Sequence, residues 1–137
     1  MSGLYSVIGR NDPMYLLADP HGADKITIPM EPGNGTVARG TVMFRAANGM
    51  YKPATAADVV DTKYLAVLNE VVDTEENATV AENGDAFRAG RLLAPKVLLT
   101  DGTKVTRDQA LILRKQGIVL EQFDDWTEPL PEFDNTK

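Results

Sequence analysis

Apolar and polar residues alternate through the middle of this chain. In "GTVMFRA" (40–46), Val42, Phe44 and Ala46 fall on one side and Met43 and Arg45 on the other, which is the two-residue period of a strand. Asn48-Gly49 follows, and "MYKP" (50–53) resumes the pattern. Asn and Gly accept the positive φ angles of a type I′ turn, so a hairpin is predicted here. "ATAADVVD" (54–61) reads as a loop with one helical turn started by Thr55. "KYLAVLNEVV" (63–72) is the most apolar run of the chain and predicts a central strand, because both faces of such a strand are covered. After the polar turn "DTEENAT" (73–79), the segments "TVAE" (79–82) and "AFRAGRLL" (86–93) predict two further strands, with Asn83-Gly84 between them. "KVLLTDGTKV" (96–105) reads as strand, Asp101-Gly102 turn, strand.

The period changes at Thr106. Thr106 is a good N-cap, and Gln109 three residues on completes a capping box. Val105 and Ala110 can form the hydrophobic staple across it. Asp108 lies in the first turn and Arg114 and Lys115 in the last, each on the favourable end of the helix dipole. Gly117 supplies a left-handed stop. A helix is therefore predicted over 106–116, followed at once by the strand "IVLEQF" (118–123).

The two ends differ from this middle. Residues 1–38 hold Pro13, Pro20, Pro29 and Pro32 together with Gly22, Gly33 and Gly35. Proline removes a backbone donor and glycine loosens the chain, so no long regular element is expected. Two apolar pieces stand out: "MYLL" (14–17) and the alternating "ITIPM" (26–30), an edge or added strand in which Pro29 is tolerated. The segment reads as an extended arm. Residues 124–137, "DDWTEPLPEFDNTK", hold five acids and one lysine, a net −4, and form an acidic, proline-containing tail. The expected fold class is mainly β: a small β-barrel or sandwich-like domain over 39–123 with one short C-terminal helix. There is no internal repeat.

Composition narrows the chemistry. A length of 137 residues suits one domain with a modest core. The net charge of −6 argues against general attraction to nucleic acid or an anionic membrane. No run approaches the roughly 18 apolar residues of a membrane span. The N-terminus "MSGLYSVIGRNDP" lacks the basic-then-apolar order of a signal peptide, so synthesis in the cytoplasm is expected. The chain has no cysteine, which removes disulfides, thiolate catalysis and cysteine-bound metals. Its one histidine, His21, permits neither a two-histidine metal site nor more than one catalytic imidazole, and reads as a loop residue.

Other motifs also take their ordinary meaning. "GNGTVARG" (33–40) is glycine-rich, but a strand rather than a helix follows, and a phosphate-binding loop needs the helix. Asp124/Asp125 and Glu75/Glu76 are adjacent acids in a tail and a turn, where they are solvated rather than tuned for proton transfer. Asp58, Asp61 and Asp73 do not match the alternate-position acids of a calcium loop. Asn34-Gly35-Thr36 and Asn77-Ala78-Thr79 fit the glycosylation sequon and mark surface loops. Phe44/Arg45 and Phe87/Arg88 pair an aromatic with a base, yet both phenylalanines sit at strand positions suited to a core. Trp126, flanked by Asp125 and Glu128, is surplus to the core and suits an interface anchor. No catalytic residue, cofactor or metal ligand is assigned.

The order "RGTVMFRAANGMYKP", "YLAVLNEVVDT", "TVAENGDAFRAGRLL", "LTDGTKVTRDQALILRKQGIVLE" resembles that of the lambda-type head decoration proteins of tailed bacteriophages. Residues 39–121 carry the resemblance; the acidic, tryptophan-containing tail departs from a minimal member. The resemblance implies a structural virion protein, not an enzyme. It would act as a homotrimer on the outside of the expanded capsid, with the major capsid protein as partner, resisting the pressure of packaged DNA. The N-terminal arm would add a strand to the capsid protein, with Met14, Tyr15, Leu16, Leu17, Lys25, Ile26, Thr27 and Ile28 as its contact residues and Trp126 as a tail anchor. Two other classes fit a small β fold: a fibre-base, tail or receptor-binding module, and a small trimeric enzyme. The enzyme would need convergent acids and a phosphate loop.

Overall fold

A computed structural model describes residues 15–74 and 82–123. The protein is mainly β, with one α-helix near the C-terminal end of the described residues. The strands are β1 (Leu17–Met30), β2 (Thr36–Val37), β3 (Val42–Arg45), β4 (Tyr51–Pro53), β5 (Leu65–Leu68), β6 (Val72–Asp73), β7 (Glu82–Leu93) and β8 (Ile118–Glu121); the helix α1 is Arg107–Lys115. The main sheet runs β1-β4-β3-β5-β7-β8, and β1 also pairs with β7. The strands β1, β4, β3, β5 and β7 therefore form a closed ring, and closure removes most exposed sheet edges. β2 and β6 make a separate small ribbon.

Alternation along the ring sends side chains to two cores. Ile28, Met30, Met43, Ala66, Leu68 and Ala86 pack together, with Val37 and Val72 of the ribbon among them. Val42, Leu65, Val67 and Phe87 pack on the opposite side, against Leu99, Val105, Ala110, Leu113 and Ile118. β5 feeds both clusters, so all four of its residues are buried; its sequence is accordingly apolar without alternation. The central strand expected in 63–72 is this β5, flanked by β3 and β7.

The helix agrees closely with its local signals. Gln109 N–H donates to Thr106 Oγ1 (3.2 Å), and Thr106 N–H donates to Gln109 Oε1 (2.9 Å). Val105, Ala110 and Leu113 face the core. Gly117, at φ 99°, ends the helix, and its N–H donates to Arg114 O (3.0 Å).

Three expectations change. The Asn48-Gly49 turn is not type I′, because Gly49 has φ 87° while Asn48 is not among the residues with positive φ. Gly49 N–H donates to Ala46 O and Ala46 N–H to Met50 O, the three-residue loop in which glycine forms a bulge. Asn83-Gly84 is not a turn: β7 runs through it. A Cβ at Gly84 would lie 2.7 Å from Met30 Sδ and 2.9 Å from Leu68 Cδ1, so the glycine serves packing inside a strand. Finally, residues 17–30 are not an arm standing apart from the domain. They form β1, antiparallel to β7 from Leu17↔Leu92 to Met30↔Glu82.

Candidate docking edge on strand β1

β1 has a regular part and an irregular part. From Lys25 to Met30 the register against β7 is unbroken; shifts occur between Leu17 and Asp19, Asp19 and Asp24, and Asp24 and Lys25. The irregular part contains Pro20 and Gly22, the latter at φ 79°, so the chain bows away from β7 around His21. His21 is 93% exposed at its side chain and lies 2.8 Å from Asp19. Hydrogen bonds from the His21 backbone and ring hold the Asp19 carboxyl below its ordinary range.

The regular part offers one side to the core and one to solvent. Ile28 and Met30 are buried and Ile26 packs against the same cluster, while Lys25 and Thr27 are exposed. The backbone hydrogen bonds split in the same two-residue rhythm. Glu31 N–H donates to Tyr51 O (3.0 Å), so on the side away from β7 the N–H groups belong to the odd-numbered residues. Pro29 is odd-numbered and has no donor to offer. The remaining outward N–H groups of this stretch are those of Lys25 and Thr27. Among the described residues, β4 is the sole strand on that side, and it meets β1 only at Met30↔Tyr51. Lys25 and Thr27 thus sit on a strand edge that no other strand among the described residues covers.

The stretch preceding β1 is pinned. Leu16 is fully buried, and its carbonyl accepts from Leu93 N–H (2.7 Å). Two cations lie over the Tyr15 ring, Lys96 Nζ 4.1 Å and Arg39 Cζ 4.7 Å from its centroid. Arg39 also reaches Asn69 Oδ1 (2.9 Å). Leu17 packs at the margin of the same core.

The structure therefore divides the residues singled out in the sequence. Leu16 and Ile28 are core residues of the domain itself and cannot serve as partner contacts in this conformation. Tyr15, Leu17 and Ile26 are partly buried, and Lys25 and Thr27 remain outward. Met14 and Trp126 lie outside the described residues.

Sequence reasoning missed two polar positions that tie distant elements together, one of them at β1. Arg91 on β7 joins three strands, reaching Asp19 of β1 (2.8 Å) and Glu121 of β8 through a two-pronged contact. The Arg91 hydrogen bond holds the Glu121 carboxyl below its ordinary range. Gln116, at the end of α1, accepts from Leu65 N–H (2.9 Å) and donates to Lys63 O (2.5 Å), tying the helix to the start of β5. Neither follows any local motif, because both join residues far apart in sequence.

The acids considered for a cation do not converge. Asp58 accepts from Lys63 Nζ (2.8 Å) and Thr55 N–H (3.0 Å), Asp61 faces Lys115, and Asp73 lies in the ribbon, opposite Thr36 in backbone register. No group of acids and histidine placed to hold a metal occurs among the described residues. No helix among them is long and apolar enough to cross a membrane. No family model, curated protein or solved structure matches the chain.

Proposed function

We propose that the protein is a structural decoration protein of a tailed-phage head, acting as a homotrimer that binds the major capsid protein on the outside of the expanded shell. The observation that carries this reading is the open edge of β1 at Lys25 and Thr27, beside a resemblance in element order over 39–121. An edge with outward donors and acceptors takes an added strand, and alternate side chains supply the fit. In this reading a capsid strand joins β1, and residues 1–14, ahead of the Tyr15 anchor, are the stretch left to act as an arm. Ordering such a segment costs about 2–5 kcal/mol. Three linked copies offset that cost through effective concentration, which adds roughly 10²–10⁴ in avidity. A ligand that binds only the expanded shell stabilises that state by mass action.

Co-sedimentation with expanded, undecorated shells of the cognate virus tests this, with unexpanded shells as control. The expected result is saturable binding to expanded shells alone, in multiples of three. Thr27→Pro sharpens the test. It deletes an outward N–H while leaving the donors that face β7, which belong to the even-numbered residues, in place. The variant should fold and lose shell binding. Failure of the unmodified protein to bind either shell would overturn the proposal; undiminished binding by Thr27→Pro would remove β1 from it.

A further inference from the structure

We infer that the acidic tail, residues 124–137, docks in a groove on its own domain between α1 and β8, with Trp126 as the anchor. The groove has a volume of about 280 Å³, and Arg107, Leu111, Arg114, Val119 and Phe123 are among the residues that line it. Leu111 is 59% exposed, one of the few large apolar side chains of the described residues that face solvent. A single exposed leucine is ordinary, but Leu111, Val119 and Phe123 line one groove together, and it is a contiguous apolar surface that marks a contact site.

The occupant follows from charge, position and reach. Arg107 and Arg114 stand along the groove, and Arg107 lies over the Phe123 ring at 4.5 Å. The complementary segment is aromatic and acidic, and "DDWTEPLPEF" begins at the next residue. Phe123 lines the groove, so the tail enters from its wall. Three residues span at most about 10 Å, which brings Trp126 within reach of Leu111 without a loop to close. Asp124, Asp125 and Glu128 surround that tryptophan in sequence and match the two guanidiniums, whose planar forks suit carboxylates. A tryptophan buries a large apolar face while leaving its N–H at the rim.

The chain holds a single tryptophan, so its fluorescence reports on the tail alone. In the full-length protein the emission should be blue-shifted relative to a free 124–137 peptide and shielded from acrylamide, and unchanged on dilution. Leu111→Asp, at an exposed position, and Arg114→Glu should each leave the circular dichroism intact. Each should move the emission and quenching severalfold toward those of the peptide. The inference is overturned if the unmodified chain already matches the peptide, or if neither substitution moves its emission. Shielding that fades on dilution would overturn it in another way, by assigning the groove to a neighbouring copy's tail.

Discussion

The helix α1 with its two caps, Thr106 to Gly117, and the strand β1 are assembled by different physics. In the first, every boundary is set by a neighbour: Thr106 and Gln109 cap each other across one turn, and Gly117 stops the helix with its own φ of 99°. In the second, nothing nearby is decisive. Leu17–Met30 is rich in breakers, with Pro20, Gly22 and Pro29 inside it, yet it is a strand because β7 lies beside it, with Ile28 opposite Gly84 and Met30 opposite Glu82. Hydrogen bonding to a distant strand and burial of Ile28 and Met30 override a poor local propensity. A locally coded element should lose a little when a cap is removed. An element held by distant contacts should lose much more when one packing position is filled.

Gly40 is the harshest test of that difference. Its φ is 95°, and a Cβ there would lie 2.1 Å from the Lys96 carbonyl oxygen. Its N–H donates to Leu68 O (2.7 Å) and its carbonyl accepts from Leu98 N–H (2.8 Å), so the backbone cannot move aside without loosening β5 and the segment at Leu98 together. Gly40→Ala should destabilise by about 3 kcal/mol, from backbone strain and steric overlap combined. Urea unfolding measures it. A loss below about 0.5 kcal/mol, the range of an indifferent surface change, would show that the junction is not rigid and remove the distinction drawn above.

Gly84→Ala should cost less, about 1–2 kcal/mol, because the nearest atoms are the ends of flexible side chains rather than backbone. Met30→Val withdraws the sulfur that lies 2.7 Å from the added methyl. The double variant should therefore be more stable than the sum of the two single losses, and a double-mutant cycle reads that coupling. Strict additivity would mean that Gly84 is required for some reason other than packing.

These two glycines also show how far the sequence could be read. Gly84 follows Asn83, and Asn-Gly is the strongest short hairpin signal available; only the presence of Met30 and Leu68 on the same face makes it a strand position. The same limit hid β1. Its alternation from Lys25 to Met30 was visible, as was the tolerance of Pro29 at an edge, but its partner was not, so an arm was the natural reading of the whole 1–38 segment. The central strand, the helix with both its caps, and the mainly β class were legible because periodicity and capping are local. Of the docking edge, the sequence groups Lys25, Ile26, Thr27 and Ile28 together as contacts, and only the burial of Ile28 and Met30 shows that Lys25 and Thr27 are the outward pair. Leu16 was not legible as core, since its burial depends on Val97, Leu99 and the rest of a cluster gathered from across the chain. Arg91 and Gln116 carried no signal at all.

At the local end of the comparison, Thr106→Ala removes the acceptor for Gln109 N–H and should cost about 1 kcal/mol, the usual worth of an N-cap. Thr106→Ser should recover most of that, since the hydroxyl is what accepts. A loss near that of Gly40→Ala would mean that the cap is coupled to the packing of Leu113 and that the helix is less local than its sequence suggests.

The smallest effect concerns Asp58 and appears only in acid. Burial works against its charge, but hydrogen bonds from Lys63 and from the Thr55 backbone and hydroxyl outweigh it, and the carboxyl is held below its ordinary 3.8. A carboxyl with a lowered value in the folded state binds fewer protons there than in the unfolded chain, so its contribution is present above the unfolded value and lost as pH falls through the folded one. Thermal midpoints followed from about pH 6 to pH 2 should therefore decline more gently in Asp58→Asn than in the unmodified protein, with the two curves converging at the acid end. Asp58 accepts from residues three before and five after it, so this contribution belongs with the locally coded class and should add to that of Thr106→Ala without coupling. A slope identical in both proteins would assign the acid sensitivity elsewhere, first to Asp101, whose carboxyl is held down by Thr103 in the neighbouring turn.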